Sequence, residues 1–265
     1  MNDVRFTSLF FEATRRCNLR CSICMSSSNV PAKVNESKRR ELSVDEIEDL
    51  VLRTARDAGI TTIGWSGGEF LVRPDALEIL RRSHRHGYQN SVCSNGLLLD
   101  RSILLDMKDA AGGDLVVALG VNSLDASNAE SRDADVEVTL RALALCKEVG
   151  IRRHVVVNVG RHNMRTLERT LQWLEDQGIP YNRSPFTARG SGAACFPQYC
   201  ASSEEMEEFI HPALRKHPNG YISYTPFFLS PDLHERCSLG RRKRSVPQCR
   251  SIGCWGRWPR SPGLE

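Results

Sequence analysis

Short runs of β-branched and aromatic residues alternate with longer stretches of helical period over the first 190 residues. The runs at 8–12, 60–65, 88–93, 114–121, 154–159 and 179–186 read as six strands. Helical patterns fill the gaps at about 43–58, 74–86, 100–111, 136–149 and 163–177. Their ends carry local signals. Ser43 followed by Glu46 forms a capping box, and Gly59 stops that helix. Pro74 suits a first helical turn and Asp100 an N-cap. Leu140, Leu143, Ala144 and Val149 share one helical side, ended by Gly150.

Regular strand–helix alternation implies parallel pairing through right-handed crossovers. The expected fold is α/β: a partial (β/α)6 TIM-like barrel of parallel strands with a short, irregular, Cys-containing C-terminal extension. An open doubly wound sheet competes with it, and both collect ligands at the carboxyl ends of their strands. Past residue 190 the pattern weakens. Ser202 and Glu205 make a second capping box for a helix to about 216, and 221–228 has strand character. The expected organisation is a core barrel over 1–190, a connecting helix and the start of an extension over 191–239, and a basic, irregular tail over 240–265.

A chain of 265 residues with 40% hydrophobic content can bury a core, which excludes a wholly disordered or collagenous protein. No apolar run approaches the roughly 20 residues of a membrane span, and Met1-Asn2-Asp3-Val4-Arg5 opens no secretory signal. A cytoplasmic protein without a membrane partner is expected. The net charge of +4 is concentrated in the tail: 236–265 holds eight Lys/Arg and one acid, leaving 28 basic against 31 acidic residues before it. The basicity is therefore no nucleic-acid footprint.

Ten cysteines without a secretion signal point to metal or redox chemistry rather than disulfides. Cys17, Cys21 and Cys24 are spaced C-x3-C-x2-C just beyond the first strand. Two readings fit them: a structural zinc completed by a distant fourth ligand, or a reactive centre whose three protein ligands leave one position open. Cys93 and Cys146 read as buried thiols. His84, His86, His154 and His162 lack ligand spacing and read as surface or strand residues. Arg152-Arg153 reads as a solvated edge, and Glu12 and Trp65 as barrel packing. The polar loop 26–40 is a candidate cover for the cysteines.

Three further segments follow successive strands: Ser66-Gly67-Gly68-Glu69, Ser94-Asn95-Gly96 and Val121-Asn122-Ser123-Leu124-Asp125. With the cysteine triad, they resemble the radical S-adenosylmethionine (radical SAM) enzymes over roughly residues 7–190. The resemblance implies a [4Fe–4S] cluster on Cys17, Cys21 and Cys24, with one iron left for SAM. It further implies close backbone approach to the methionine moiety at Gly67 and Gly68, with Glu69 near its ammonium. Asn95, Ser123 and Asp125 would contact the ribose or methionyl groups, with Asn158 as a weaker candidate. The family usually has Pro after Gly-Gly-Glu; here Phe70 stands there.

The implied chemistry is reductive cleavage of SAM to a 5′-deoxyadenosyl radical, which takes hydrogen from an unactivated C–H bond. The implied electron donor is a flavodoxin or ferredoxin. Thr187-Ala188-Arg189-Gly190-Ser191-Gly192 and Cys237-Ser238-Leu239-Gly240 are similar to the approach and opening of the SPASM or twitch extension, which binds auxiliary Fe–S clusters. The expected hairpin after Gly240 is missing, so Cys237, Cys249 and Cys254 read as a degenerate, truncated or frame-shifted ending with a possible auxiliary cluster. The expected substrate is a small sugar- or polyol-like molecule or a peptide. Met1–Thr7 is too short for the recognition domain common in peptide (RiPP) maturases, which leans toward the small molecule or a separately delivered peptide. A non-catalytic iron–sulfur or zinc protein is the alternative of another class.

Overall fold

Seven parallel strands lie in sequence order: β1 (Ser8–Thr14), β2 (Thr62–Gly67), β3 (Gln89–Ser94), β4 (Leu115–Gly120), β5 (Arg152–Val159), β6 (Tyr181–Pro185) and β7 (Tyr221–Ile222). This computed structural model describes residues 6–28, 30, 35 and 41–222. Each strand pairs with its sequence neighbours, from Ser8↔Thr62 across to Asn182↔Tyr221. A doubly wound sheet reverses its order at a switch point; this one does not. The first six strands curl into the expected half-barrel, and the two-residue β7 adds to its edge. Most of the expected strand at 221–228, with Cys237, Cys249 and Cys254, lies outside the described residues.

Successive side chains of a strand point to opposite faces, and here the two faces differ in chemistry. Ile63, Trp65, Val92, Val117, Leu119 and Val157 face the helices and are almost wholly buried. A fully buried side chain of this size contributes roughly 1.5–3 kcal/mol. Trp65 stacks on Phe70 (5.8 Å between centroids) and meets the edge of Phe11 (6.1 Å). Phe70, standing where the family has Pro, is thus a core residue. The strand register places small or polar residues on the inner face: Gly64, Ser66, Ser91, Cys93, Ala118 and Asn158. That face leaves room inside the half-barrel, and the inward Phe10 of β1 is 47% exposed.

The expected helices form. The first runs 44–57 with a π-helical middle, Ile47–Leu52, and its capping box is complete: Ser43 N–H donates to Glu46 Oε2 (2.7 Å) and Glu46 N–H to Ser43 Oγ (3.3 Å). Asp100 caps its helix by accepting from Ile103 N–H (2.8 Å). Two short helices, Ser127–Arg132 and Gly192–Tyr199, have no counterpart in the sequence reading. The first has Ala129 as its one apolar residue and the second holds Pro197, so neither shows a helical apolar stripe. Arg152 pairs with Asp114 at the exposed foot of β5, as a solvated edge residue. Among the described residues, no helix is long and apolar enough to cross a membrane.

Candidate metal centre

The cysteine loop leaves the carboxyl end of β1 and is anchored by the buried Leu19. Cys17, Cys21 and Cys24 are half-buried thiols outside any disulfide among the described residues. Each has its own local partner. Leu19 N–H donates to Cys17 Sγ (3.4 Å), Ser28 N–H to Cys24 Sγ (3.4 Å), and Cys21 Sγ–H to the Arg132 carbonyl (2.9 Å). The thiols lie within electrostatic reach of one another. Among the described residues, no three Cys, His, Asp or Glu side chains are already drawn in around one point. Burial pushes the Cys21 thiol up to about 11 and raises Cys17 as well. Burial thus favours the protonated form of Cys17 and Cys21; a bound metal reverses that preference by stabilising thiolates. The donor set suits an iron–sulfur cluster, which is held by soft thiolates.

At the end of β2 the chain passes very close to this loop. Gly68 N–H donates to Thr14 O (2.8 Å) and Glu69 N–H to Arg16 O (2.8 Å). A Cβ on Gly67 would fall 1.9 Å from Thr14 O, and one on Gly68 2.2 Å from Arg16 O and 2.9 Å from Cys17 Cβ. The missing side chains therefore serve first the approach of the chain's own backbone to the start of the cysteine loop.

Glu69 is fully buried. Its carboxylate accepts from Leu71 N–H (3.1 Å), Asn95 N–H (2.7 Å) and Ser94 Oγ (3.2 Å), while burial raises its pKa. It ties the ends of β2 and β3 together. Asn95 then bridges to the cysteine loop, its amide donating to Asn18 Oδ1 (2.7 Å) and lying 3.8 Å from Cys17 Sγ.

Beyond β4, Ser123 is buried and its hydroxyl sits between Asp125 Oδ1 (2.9 Å) and Thr166 Oγ1 (3.0 Å). Asp125 also accepts from Ser127 N–H and Oγ and pairs with Arg169; these partners hold it down to about 2. Both residues thus close the loop onto the helix Ser127–Arg132. Asn158, on β5, keeps a buried Oδ1 without a hydrogen-bond partner among the described residues.

Two groups at this end of the barrel were given no site role by the sequence reading. The Arg132 guanidinium lies against Gly120 on the inner face, where a Cβ would fall 2.0 Å from Nη1. It is within electrostatic reach of Cys21, Cys93 and His162, and no carboxylate pairs with it among the described residues. His162, expected at the surface or in a strand, instead follows β5 half-buried, 5.2 Å from the Tyr199 ring and 6.4 Å from Phe186. Its ring lies beside the Asn158 backbone, neither nitrogen is at hydrogen-bond geometry to any of the described residues, and burial pushes it down to about 4. Lone basic residues in a polar stretch carry no periodic signal; only proximity to Cys21 and Asn158 marks these two.

Residues 11–174 match the family described as the Radical SAM superfamily. The chain is 28% identical over 214 residues to the Fe-coproporphyrin III synthase of Methanosarcina barkeri, covering 78% of this chain and 52% of that protein. It is 29% identical over 171 residues to the GTP 3′,8-cyclase of Lactiplantibacillus plantarum, covering 63% and 50%. The crystal structure of Streptococcus suis SuiB bound to precursor peptide SuiA shares the fold, with a TM-score of 0.66 at 14% identity over 84% of this chain and 50% of that one. The chain spans about half the length of the curated relatives it matches.

Proposed function

The chain belongs to the radical SAM superfamily, and on that premise we propose that Cys17, Cys21 and Cys24 hold a [4Fe–4S] cluster beside bound S-adenosylmethionine. When bound, that pair supplies a 5′-deoxyadenosyl radical able to take hydrogen from an unactivated C–H bond. The protein's share is to bind, orient and shield. Gly67 and Gly68 let the end of β2 brace the cysteine loop, and Glu69 holds Asn95 against Asn18 and Cys17. Arg132 offers a guanidinium to the SAM carboxylate, a pairing suited to its planar fork. Asn158 Oδ1 and the neutral His162 offer open polar atoms to the nucleoside. Ser123 and Asp125 act by shaping the loop that carries Arg132.

The observation that carries this reading is the juxtaposition of three cysteine thiols with a guanidinium that no carboxylate pairs among the described residues, at one end of a half-barrel. The test is anaerobic reconstitution with iron and sulfide, reduction, and addition of SAM. The reading expects 5′-deoxyadenosine from the wild type and none from Cys21→Ala. A zinc-loaded protein inert at every reductant strength favours a non-catalytic metal protein instead.

For the substrate, we favour a peptide. Support comes from the open inner face beside β1 and from the fold shared with SuiB, solved with a precursor peptide. A small molecule is the second reading, favoured by the alignment with Fe-coproporphyrin III synthase over 78% of the chain. A flavodoxin or ferredoxin in a reducing cytoplasm is the matching electron donor. The unit so described ends near residue 190 by the sequence reading, yet its contacts continue beyond that point.

A further inference from the structure

The helix Gly192–Tyr199 packs on the back of the cysteine loop. Ser191 N–H donates to Cys24 O (2.8 Å) and Gly192 N–H lies 3.3 Å from the same oxygen. Gly190 is in the left-handed region (φ +58°), and a Cβ there would fall 2.4 Å from Met25 O and 2.6 Å from Cys24 O. The start of this helix is therefore fitted to the loop backbone at Cys24.

The other end reaches the same loop through one side chain. Tyr199 is 6% exposed, and its ring packs edge-on against Phe186 at 5.7 Å and His162 at 5.2 Å. Its hydroxyl donates to Glu130 O (3.0 Å) and lies 3.5 Å from Ser22 Oγ. Ser22 Oγ is also 3.2 Å from Glu130 O and 3.4 Å from Ser131 O; its single proton serves one of these acceptors at a time. Ser22 adjoins Cys21, whose thiol meets the carbonyl of Arg132, two residues beyond Glu130. One hydroxyl thus joins three segments: the cysteine loop, the helix Ser127–Arg132 that carries Arg132, and the helix after β6.

We infer that Tyr199 is a positioning residue for the metal centre: its hydroxyl and ring hold the Cys21–Cys24 turn and the Arg132 segment in one frame, so that the helix beyond β6 belongs to the cluster-holding unit. The inference rests on the cluster reading above. Thiolates that converge on a common centre need the loop held in a fixed shape, and a clamp that survives loss of the metal slows its escape. Tyr199 touches none of the reacting groups; it acts through Ser22 and Glu130.

The test follows iron release from anaerobically reconstituted protein to a ferrous chelator, for wild type, Tyr199→Phe, Ser22→Ala and a control, Tyr181→Phe. The control removes a comparable hydroxyl contact, Tyr181 to Glu175 (2.9 Å), between β6 and the helix Leu167–Asp176, away from the cysteine loop. Loss of one hydrogen bond corresponds to about a five-fold change in rate or affinity. Iron release is expected to be about five-fold faster in Tyr199→Phe and faster also in Ser22→Ala. Tyr181→Phe is expected to lower the melting temperature while releasing iron at the wild-type rate. Wild-type release from Tyr199→Phe, or equal acceleration by Tyr181→Phe, overturns the inference and leaves the cluster reading standing. A wild type that takes up no iron overturns both.

Discussion

Glu69 Oε2 accepts the backbone N–H of Asn95 at 2.7 Å, so a carboxylate with no exposed surface joins the carboxyl ends of β2 and β3. Three donors converge on it, from Leu71, Ser94 and Asn95. Asn95 in turn reaches Asn18 and the sulfur of Cys17. The first contribution of Glu69 is therefore to the alignment of the cysteine loop.

Glu69→Gln keeps the shape but sets an NH2 group against one of these donors. It is expected to lower stability by about 1–3 kcal/mol, the cost of a buried unsatisfied pair. Urea unfolding checks it; an unchanged midpoint contradicts the assigned contacts.

Gly68→Ala places a methyl 2.2 Å from Arg16 O, a backbone atom with little freedom to yield. Strain of this kind costs about 1–3 kcal/mol and displaces the Arg16–Cys17 segment. Iron uptake on reconstitution is expected to fall below half of the wild-type value, measured against protein concentration.

Arg132→Ala removes a guanidinium that pairs with no carboxylate among the described residues, so stability should change little. If the group meets the carboxylate of SAM, affinity falls by about 10–100-fold, the range for a charge-assisted contact. Calorimetric titration of SAM into reconstituted protein measures this. Unchanged affinity would remove Arg132 from the site.

His154 is buried on β5, its Nε2 2.8 Å from Asn182 Oδ1, and burial pushes its pKa from 6.5 down to about 4. The unfolded ring takes up a proton as pH falls through 6.5, while the folded ring stays neutral until about 4. Between those values the unfolded state binds more protons, so acid favours unfolding. Stability present above pH 6.5 is lost progressively toward pH 4, by about 3 kcal/mol at the full shift. His154→Gln retains an amide donor without titrating in this range. Its melting temperature should fall less between pH 7 and 5 than that of the wild type.

Much of the architecture is legible in the amino-acid pattern because it is written in local period. The strand runs, the Ser43–Glu46 and Ser202–Glu205 capping boxes and Asp100 each depend on residues a few positions apart. The cysteine spacing is local in the same way. What escaped depends on distant partners. Ser123 and Asp125 look like open ligand groups until Thr166 and Arg169, more than 40 positions on, occupy them. Gly67 and Gly68 also lie hard against the backbone of Thr14 and Arg16, a close approach that the sequence pattern does not reveal. Arg132 and Tyr199 gain their places from short helices with no apolar stripe, Ser127–Arg132 and Gly192–Tyr199.

The most direct measurement is the iron-57 Mössbauer spectrum of anaerobically reconstituted protein before and after addition of SAM. Three protein sulfurs and one open iron predict that a single iron of the four changes its parameters when the ligand arrives. Four irons that stay equivalent with SAM present, or a centre that takes up zinc and no iron, would contradict the account.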